Sequence, residues 1–190
     1  MGDLVRLISQ NPHKLAELRA RLPDWRLEPW EGGDLPPEVG DTYYDNARAK
    51  AEAGRSPGEW ALGEDSGIEV DGLAGGPGVL SARFAGPGED PVQKLLAQLD
   101  GMDGPARKGR YVCELVALSP EGEEVRGTGV LRGRISHEAR GSEGFGYDPI
   151  FVPTGEERTV AELGNAWKRE HSHRALAARA LLAALGGTGP

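Results

Sequence analysis

The sequence is poor in cysteine, in long apolar runs and in basic residues, and each shortage excludes a class of protein. With one cysteine in 190 residues it has no disulfide framework, so we expect a reducing, cytoplasmic location and a buried core thiol at Cys113. No stretch approaches the roughly 20 apolar residues of a membrane span. Asp3 and Arg6 flank a short apolar run at the N-terminus, where a signal peptide would need a longer one. We therefore expect no membrane partner.

Basic residues are also scarce. The chain has 22 Lys and Arg against 30 Asp and Glu, a net charge of −8. Proteins that bind polyanions usually carry the opposite balance, so a nucleic-acid polymer is not expected as a partner. A small anionic ligand remains compatible with this balance, because a few basic side chains can dominate one pocket.

The hydrophobic pattern predicts an α/β fold. Two runs separated by Ser119–Gly122 have the pattern of a hairpin, and this pair favours a mixed sheet over a purely parallel one. The predicted strands are Leu4–Ile8, Trp25–Trp30, a strand ending over Trp60–Leu62, Tyr111–Leu118, Val125–Ile135 and Ile150–Val152. Helical spacing is found from Leu15 to Leu22 and over Ala47–Ala53, Asp90–Leu99 and Ala175–Leu185.

Two adjacent acids, Glu64 and Asp65, lie at the centre of the chain. They follow the strand that ends at Leu62 and precede the glycine-dense segment Gly72–Gly78. Acids at the carboxyl edge of a sheet can hold a hard cation or take a proton from water. A pair of solvated loop acids would have the same pattern, and this stretch alone leaves both readings open.

The segment Ser9–Lys14 joins the first strand to the first helix. Asn11 suits the N-cap and Pro12 the first helical position. A helix N-terminus in this place makes an anion site, to which Lys14 would add a charge. The alternative is a capped helix with a solvated lysine. Farther along, Lys50 lies in the alanine-rich helix and either reaches solvent or points into a cleft.

The C-terminal half has two further candidate sites. Phe145 lies between two glycines and near Asp148, a pattern typical of a stacking platform for a base, or of a hydrophobic plug beneath a loop. Ser172 suits an N-cap, which places His173 and Arg174 at a helix N-terminus. A metal role for His173 is weakly supported, because no other histidine has ligand-like spacing with it.

Taken in order, these motifs resemble those of the inosine triphosphate pyrophosphatase family, which hydrolyses non-standard purine triphosphates such as ITP, dITP and XTP. The resemblance runs nearly end to end. It rests on the segments Ser9–Lys14, Thr42–Ala47, Glu64–Val70, Gly76–Arg83, Phe145–Phe151 and Ser172–Arg174. It implies one domain over residues 1–190, an elongated mixed sheet flanked by helices, with two lobes and a substrate cleft between them. The second lobe would be built largely around residues 105–150, and the protein would be a homodimer.

The resemblance also implies roles for particular residues. Glu38 and Asp65 would bind Mg²⁺, and Asp65 would accept the proton of the attacking water. Glu64 stands where the family commonly has Asp, which leaves its role open. The implied substrate-binding residues are Ser9, Gln10, Asn11, Pro12, His13, Lys14, Lys50, Ser66, Phe145, Gly146, Tyr147, Asp148, Lys168, His173 and Arg174.

Two other functions compete with this one. A related pyrophosphatase of modified pyrimidine triphosphates would use the same metal chemistry, although the motifs around Phe145 and His173 favour purines. A nucleotide sensor that no longer hydrolyses would need no proton acceptor, so the presence of both Glu38 and Asp65 argues against it.

Overall fold

A mixed six-stranded sheet flanked by helices forms the protein in a computed structural model that describes residues 4–186. The strands are β1 (Leu4–Ile8), β2 (Arg26–Pro29), β3 (Trp60–Val70), β4 (Lys108–Leu118), β5 (Glu124–Ile135) and β6 (Phe151–Pro153). The α-helices are α1 (Pro12–Arg21), α2 (Tyr43–Ala53), α3 (Pro91–Gln98), α4 (Val160–His171) and α5 (His173–Ala184). The predicted α/β fold is confirmed.

The strands lie in the order β2-β1-β3-β4-β5-β6. β1 pairs in parallel with β2 and β3, and β6 pairs antiparallel with β5. The two strands of the predicted hairpin, β4 and β5, are neighbours, and hydrogen bonds between Ser119 and Glu123 close the turn between them. Both strand directions therefore occur in one sheet, as the sequence predicts.

The described chain divides into two compact units. The first contains residues 4–65, 113–129 and 173–186, and the second contains residues 66–112 and 130–172. Each unit has its own hydrophobic core. Leu7, Leu62 and Leu115 are fully buried in the core of the first unit, and Ile68, Phe151 and Ile150 are fully buried in that of the second.

Local sequence signals explain where α1 and α2 begin. The Asn11 side chain accepts hydrogen bonds from the backbone N–H groups of His13 and Lys14, and Pro12 follows it. At α2, Thr42 and Asp45 form the predicted capping box. No helix within residues 4–186 is long and apolar enough to cross a bilayer.

Two elements differ from the sequence prediction. β3 continues to Val70 instead of ending at Leu62, because Ile68 and Val70 are also buried, so Glu64 and Asp65 lie inside a strand. α4 was not predicted. Its helical pattern is interrupted at Gly164, whose φ of 86° kinks the helix, although the capping box at its start is present in the sequence.

Candidate active site

Glu64 and Asp65 belong to two different polar networks of the first unit. Successive side chains of a strand point to opposite faces of the sheet. Glu64 accordingly contacts Lys14 and Arg174, whereas Asp65 contacts Lys50 and Asn46. Both acids are almost fully buried, so the solvated-loop reading is wrong.

Glu64 is the centre of the first network. Lys14 Nζ lies 2.6 Å from Glu64 Oε2, and the Arg174 guanidinium lies 3.0 Å from Oε1. Although burial opposes ionisation, the positive charges of Lys14, Arg174 and Lys50 hold the pKa of Glu64 well below its usual value. Lys14 is therefore paired with a buried carboxylate in this structure and is not a freely solvated lysine.

Cys113 completes this network from the neighbouring strand. Its thiol is buried and donates to Glu64 Oε1 at 3.6 Å. Burial, together with the negative charge of Glu64, raises the pKa of the thiol well above its usual value. The side chain is the buried core thiol that the sequence predicts.

Lys50 joins three oxygens in the second network. Its Nζ lies 2.5 Å from Glu38 Oε1, 3.1 Å from Asp65 Oδ1 and 2.9 Å from the Glu64 carbonyl oxygen. Burial acts to lower the pKa of Lys50, but the charges of Asp65, Glu64 and Glu38 outweigh it, and the pKa is raised. Lys50 is 4% exposed, so the reading in which it reaches solvent is wrong.

Asn46 fixes the other oxygen of Asp65. Its Nδ2 donates to Asp65 Oδ2 at 3.0 Å, while its Oδ1 accepts from the Gly40 backbone N–H at 2.8 Å. Burial is the largest influence on Asp65 and raises its pKa, against the opposing effects of Lys50 and Asn46. The carboxylate therefore has one defined orientation.

Close packing of α2 on β3 brings Lys50 and Asn46 to Asp65. A Cβ placed at Gly63 would lie 1.8 Å from the Ala47 carbonyl oxygen, so this position of the strand requires glycine. Ala47 and Ala51 are fully buried on the facing side of the helix. The small residues of this helix thus allow α2 to pack closely on β3.

The carboxylates of Glu38 and Asp65 fit a divalent cation. Both contact one ammonium nitrogen, that of Lys50, so they already converge on a single cation. Mg²⁺ is commonly held by one or two carboxylates together with waters and substrate phosphate oxygens. Within residues 4–186 no group of three or more His, Cys, Asp or Glu side chains is arranged to hold a metal ion.

In the second unit, Phe145, Asp148 and Lys168 form one cluster. Lys168 Nζ lies 2.5 Å from Asp148 Oδ2 and 3.8 Å from the centre of the Phe145 ring. Asp148 Oδ2 also accepts from the Phe145 backbone N–H at 2.8 Å. Gly144 is required beside them, because it has a φ of 80° and its Cβ would lie 2.2 Å from Asp148 Oδ2.

The remaining predicted residues have varied positions. Tyr147 lies in the core of the second unit, donates to the Ser81 carbonyl oxygen, and has its pKa raised to about 12 by burial. His173 and Arg174 are buried in the first turn of α5, as predicted, and Arg174 also contacts Glu17 Oε2 at 2.6 Å. Ser66, half-buried, follows Asp65 on β3.

The loop before α1 holds the last group of predicted residues. Ser9 Oγ accepts from the Asn11 backbone N–H at 3.2 Å, and Gln10 Nε2 donates to the Gly33 carbonyl oxygen at 3.2 Å. Within the first unit the structure therefore brings together Lys14, Lys50, Glu38, Glu64 and Asp65. Within the second unit it brings together Phe145, Asp148 and Lys168.

Three residues that take part in these networks were not predicted from the sequence. Asn46 lies in the Thr42–Ala47 motif, which contributes to the family resemblance, but no functional role was predicted for it. Glu17 lies three residues after Lys14, a helical spacing that places both on one face of α1. Tyr111, whose hydroxyl donates to Asp148 Oδ1 at 3.3 Å, has no sequence signal, because the contact joins positions 37 residues apart.

Comparison with known proteins finds similar sequences and similar structures. The sequence profile of the Ham1 family matches residues 5–184. A dITP/XTP pyrophosphatase of Bdellovibrio bacteriovorus is 42% identical over 193 residues, covering 95% of this chain and 96% of the relative. The structure of a HAM1 protein from Coxiella burnetii has a TM-score of 0.87 and 34% identity, covering 99% of this chain and all of that one. A nucleoside-triphosphatase / dITP/XTP pyrophosphatase from Mycobacterium abscessus has a TM-score of 0.75 and 40% identity, with 94% and 96% coverage.

Proposed function

The chain belongs to the Ham1 family, and from this we propose that it is a nucleoside triphosphate pyrophosphatase acting on non-standard purine nucleotides such as dITP, XTP and ITP. Its products are the nucleoside monophosphate and pyrophosphate. The observation that carries the proposal is the cluster in which the half-buried Glu38 and the buried Asp65 converge on Lys50. Removing such nucleotides from the pool keeps them out of nucleic acids.

The first unit supplies the groups for the triphosphate. Lys14 at the start of α1 and Lys50 on α2 provide positive charge for the phosphates, and both are held by buried carboxylates. Glu38 and Asp65 hold Mg²⁺ in this proposal. When bound, the ion supplies neutralisation of the negative charge that grows on the pyrophosphate leaving group.

Asp65 is the proton acceptor in this reaction. Asn46 and Lys50 each bind one of its oxygens, which fixes the plane of the carboxylate. Water attacks the α-phosphorus, its proton passes to the Asp65 carboxylate, and the bond to pyrophosphate breaks. A side chain held this firmly suits general-base catalysis, because the acceptor must lie within hydrogen-bond reach of the attacking water.

Phe145 and Lys168 bind the base in this proposal. Phe145 offers a ring on which a purine can stack, and Lys168 beside it is a donor for the 6-oxo group of hypoxanthine and xanthine. Adenine carries an amino donor at this position, which cannot accept a hydrogen bond from Lys168. A hydrogen bond to a charged group contributes about 1.5–3 kcal/mol, which favours the oxo-purines. In this scheme Arg174 has an indirect role, because it contacts Glu64, which in turn contacts Lys14.

The substrate range can be measured directly as pyrophosphate release from dITP, XTP, dGTP and dATP, each with Mg²⁺ and with a chelator. We expect metal-dependent cleavage of dITP and XTP at least about tenfold faster than that of dATP, the ratio for 1.4 kcal/mol of discrimination. Equal cleavage of all four would contradict the base-reading part of the proposal. Tight nucleotide binding without any cleavage would instead indicate a sensor.

Stacking on Phe145 makes a separate prediction. Stacking is worth about 1–3 kcal/mol per base, so Phe145→Leu should raise KM for dITP by roughly 5–150-fold and change kcat less. Phe84→Leu is the matched control, because Phe84 is also a half-buried ring of the second unit with a lysine, Lys94, above it at 5.4 Å. An equal rise in KM for both variants would indicate loss of packing and not of stacking.

A further inference from the structure

Basic side chains are concentrated on one surface of the second unit that the proposed function does not use. Within residues 4–186, six of the 22 Lys and Arg side chains line two adjoining cavities, whereas Asp71 and Glu138 are the only acidic side chains that do so. The six basic residues are Arg107, Lys108, Arg110, Arg132, Arg134 and Arg140. In a chain with a net charge of −8, this is a strong local reversal of sign.

The two cavities are the size of small-ligand sites and share a wall. Their volumes are about 410 and 530 Å³, and Arg134 and Val152 line both of them. Ligand pockets in proteins typically measure about 300–1,000 Å³. A ligand that bound across the shared wall at Arg134 would therefore contact basic residues of both cavities.

Arg107 gives the first cavity a fixed positive charge. The residue is only 6% exposed, and its guanidinium donates to the carbonyl oxygens of Met102, Ser136 and Leu99 at 2.7, 2.9 and 3.0 Å. A guanidinium has five N–H donors, so these bonds leave two of them.

The partners of Arg107 hold it without neutralising it. Leu99 ends α3, and the negative end of a helix dipole compensates about half a charge. No carboxylate within residues 4–186 forms an ion pair with Arg107. A buried charge is costly unless it is paired, so a bound anion would stabilise this arrangement.

The exposed basic residues add to this excess. Across the described part of the chain, Lys108, Arg132 and Arg134 have no carboxylate within ion-pair distance. Arg134 donates only weakly, to the Glu156 carbonyl oxygen at 3.4 Å. Arg110 and Arg140 are different, since Glu69 lies 2.6 Å from Arg110 and Glu162 lies 3.6 Å from Arg140. Three exposed cations and one buried cation thus remain without a carboxylate.

We propose that the two adjoining cavities form a binding site for an oligophosphate anion, built from residues that share none with the cluster around Asp65. Charge-assisted hydrogen bonds from arginine suit phosphate oxygens. No Phe, Tyr or Trp side chain of the described residues lines either cavity, and His137 is the single aromatic residue that does so. The anion is pyrophosphate, or the triphosphate tail of a free nucleotide.

The test is titration calorimetry of pyrophosphate, and of inorganic triphosphate, into the full chain in a chelating buffer. Arg132→Ala/Arg134→Ala should weaken binding by about tenfold or more, because two charge-assisted contacts are lost. The matched control is Arg158→Ala/Arg169→Ala, which removes two exposed charges from the same unit outside the cavities. Lys14→Met, which alters the phosphate-binding part of the first unit, should leave this binding within about twofold.

Whichever of the two anions binds more strongly identifies the natural ligand, which is pyrophosphate itself or the triphosphate tail of a free nucleotide. Equal binding by the wild type and Arg132→Ala/Arg134→Ala, or loss of all binding in Lys14→Met, would overturn the proposal. Binding of a single-stranded oligonucleotide without binding of pyrophosphate would also overturn it. Thermal melting of each variant checks the fold. Because binding is measured without turnover, failure of the hydrolysis assay would not affect this result.

Discussion

Replacing Asp65 by asparagine is expected to lower kcat for dITP by about 10²–10⁴-fold, the usual contribution of a positioned general base, and also to raise KM, because Asp65 is a proposed ligand of the Mg²⁺ that binds the phosphates. The amide has nearly the same shape as the carboxylate but cannot accept the proton of the attacking water. It also offers one acceptor oxygen where Lys50 and Asn46 each need one, so one of these two donors loses its partner. Steady-state kinetics of pyrophosphate release measure both parameters.

Two further variants distinguish the loss of the general base at Asp65 from a general loss of negative charge. Glu69→Gln removes a carboxylate from the same strand, where Glu69 pairs with Arg110, and should leave kcat within about twofold. Asp65→Glu keeps a carboxylate and should recover part of the activity. If Asp65→Asn retained more than about a tenth of wild-type kcat, Asp65 would not be the proton acceptor.

Replacing Glu64 by glutamine should have the largest effect on stability. The carboxylate is fully buried between Lys14 and Arg174, and Arg174 is only 2% exposed. Removing one partner of a buried ion pair typically costs about 3–5 kcal/mol, because the other charge stays buried without its partner. In a protein of this size such a loss lowers the melting temperature by roughly 6–20 °C, which calorimetry measures.

A surface control and a double variant make this prediction specific. Glu124 also contacts a cation, Arg48, but on the surface, so Glu124→Gln should cost about 1 kcal/mol or less. Glu64→Gln combined with Arg174→Met should cost less than the sum of the two single changes, since the double variant leaves no guanidinium there. Additive costs would show that the pair does not contribute as a unit.

Local signals in the sequence predicted most of the elements but few of the contacts between them. The helix starts at Asn11 and Thr42 follow from short-range hydrogen bonds, and these are confirmed. The contact between Arg174 and Glu64 joins residues 110 positions apart, and no local rule predicts it. The family resemblance identified Arg174 as a site residue without indicating that two carboxylates, the buried Glu64 and the half-buried Glu17, hold it.

The unpredicted parts of the fold have physical causes as well. The glycine at position 63 reads as a possible strand end, whereas in the structure it allows α2 to approach β3 closely. At α4, the kink at Gly164 breaks the helical period on which sequence reading depends. In both places a glycine that looks like a loop signal serves close packing or a bend inside a regular element.

The alternation of Glu64 and Asp65 along β3 has a consequence for how this chain tolerates insertions and deletions. The two acids serve different networks only because consecutive strand residues face opposite ways. A shift of one residue in the register of β3 would move every side chain to the opposite face. An insertion before the acids would place Glu64 beside Lys50 and Gly63 beside Lys14, whereas a deletion would place Asp65 beside Lys14 and Ser66 beside Lys50. In either case one of the two networks would lose its carboxylate. The length of the connection between α2 and β3 is therefore under stricter constraint than its composition.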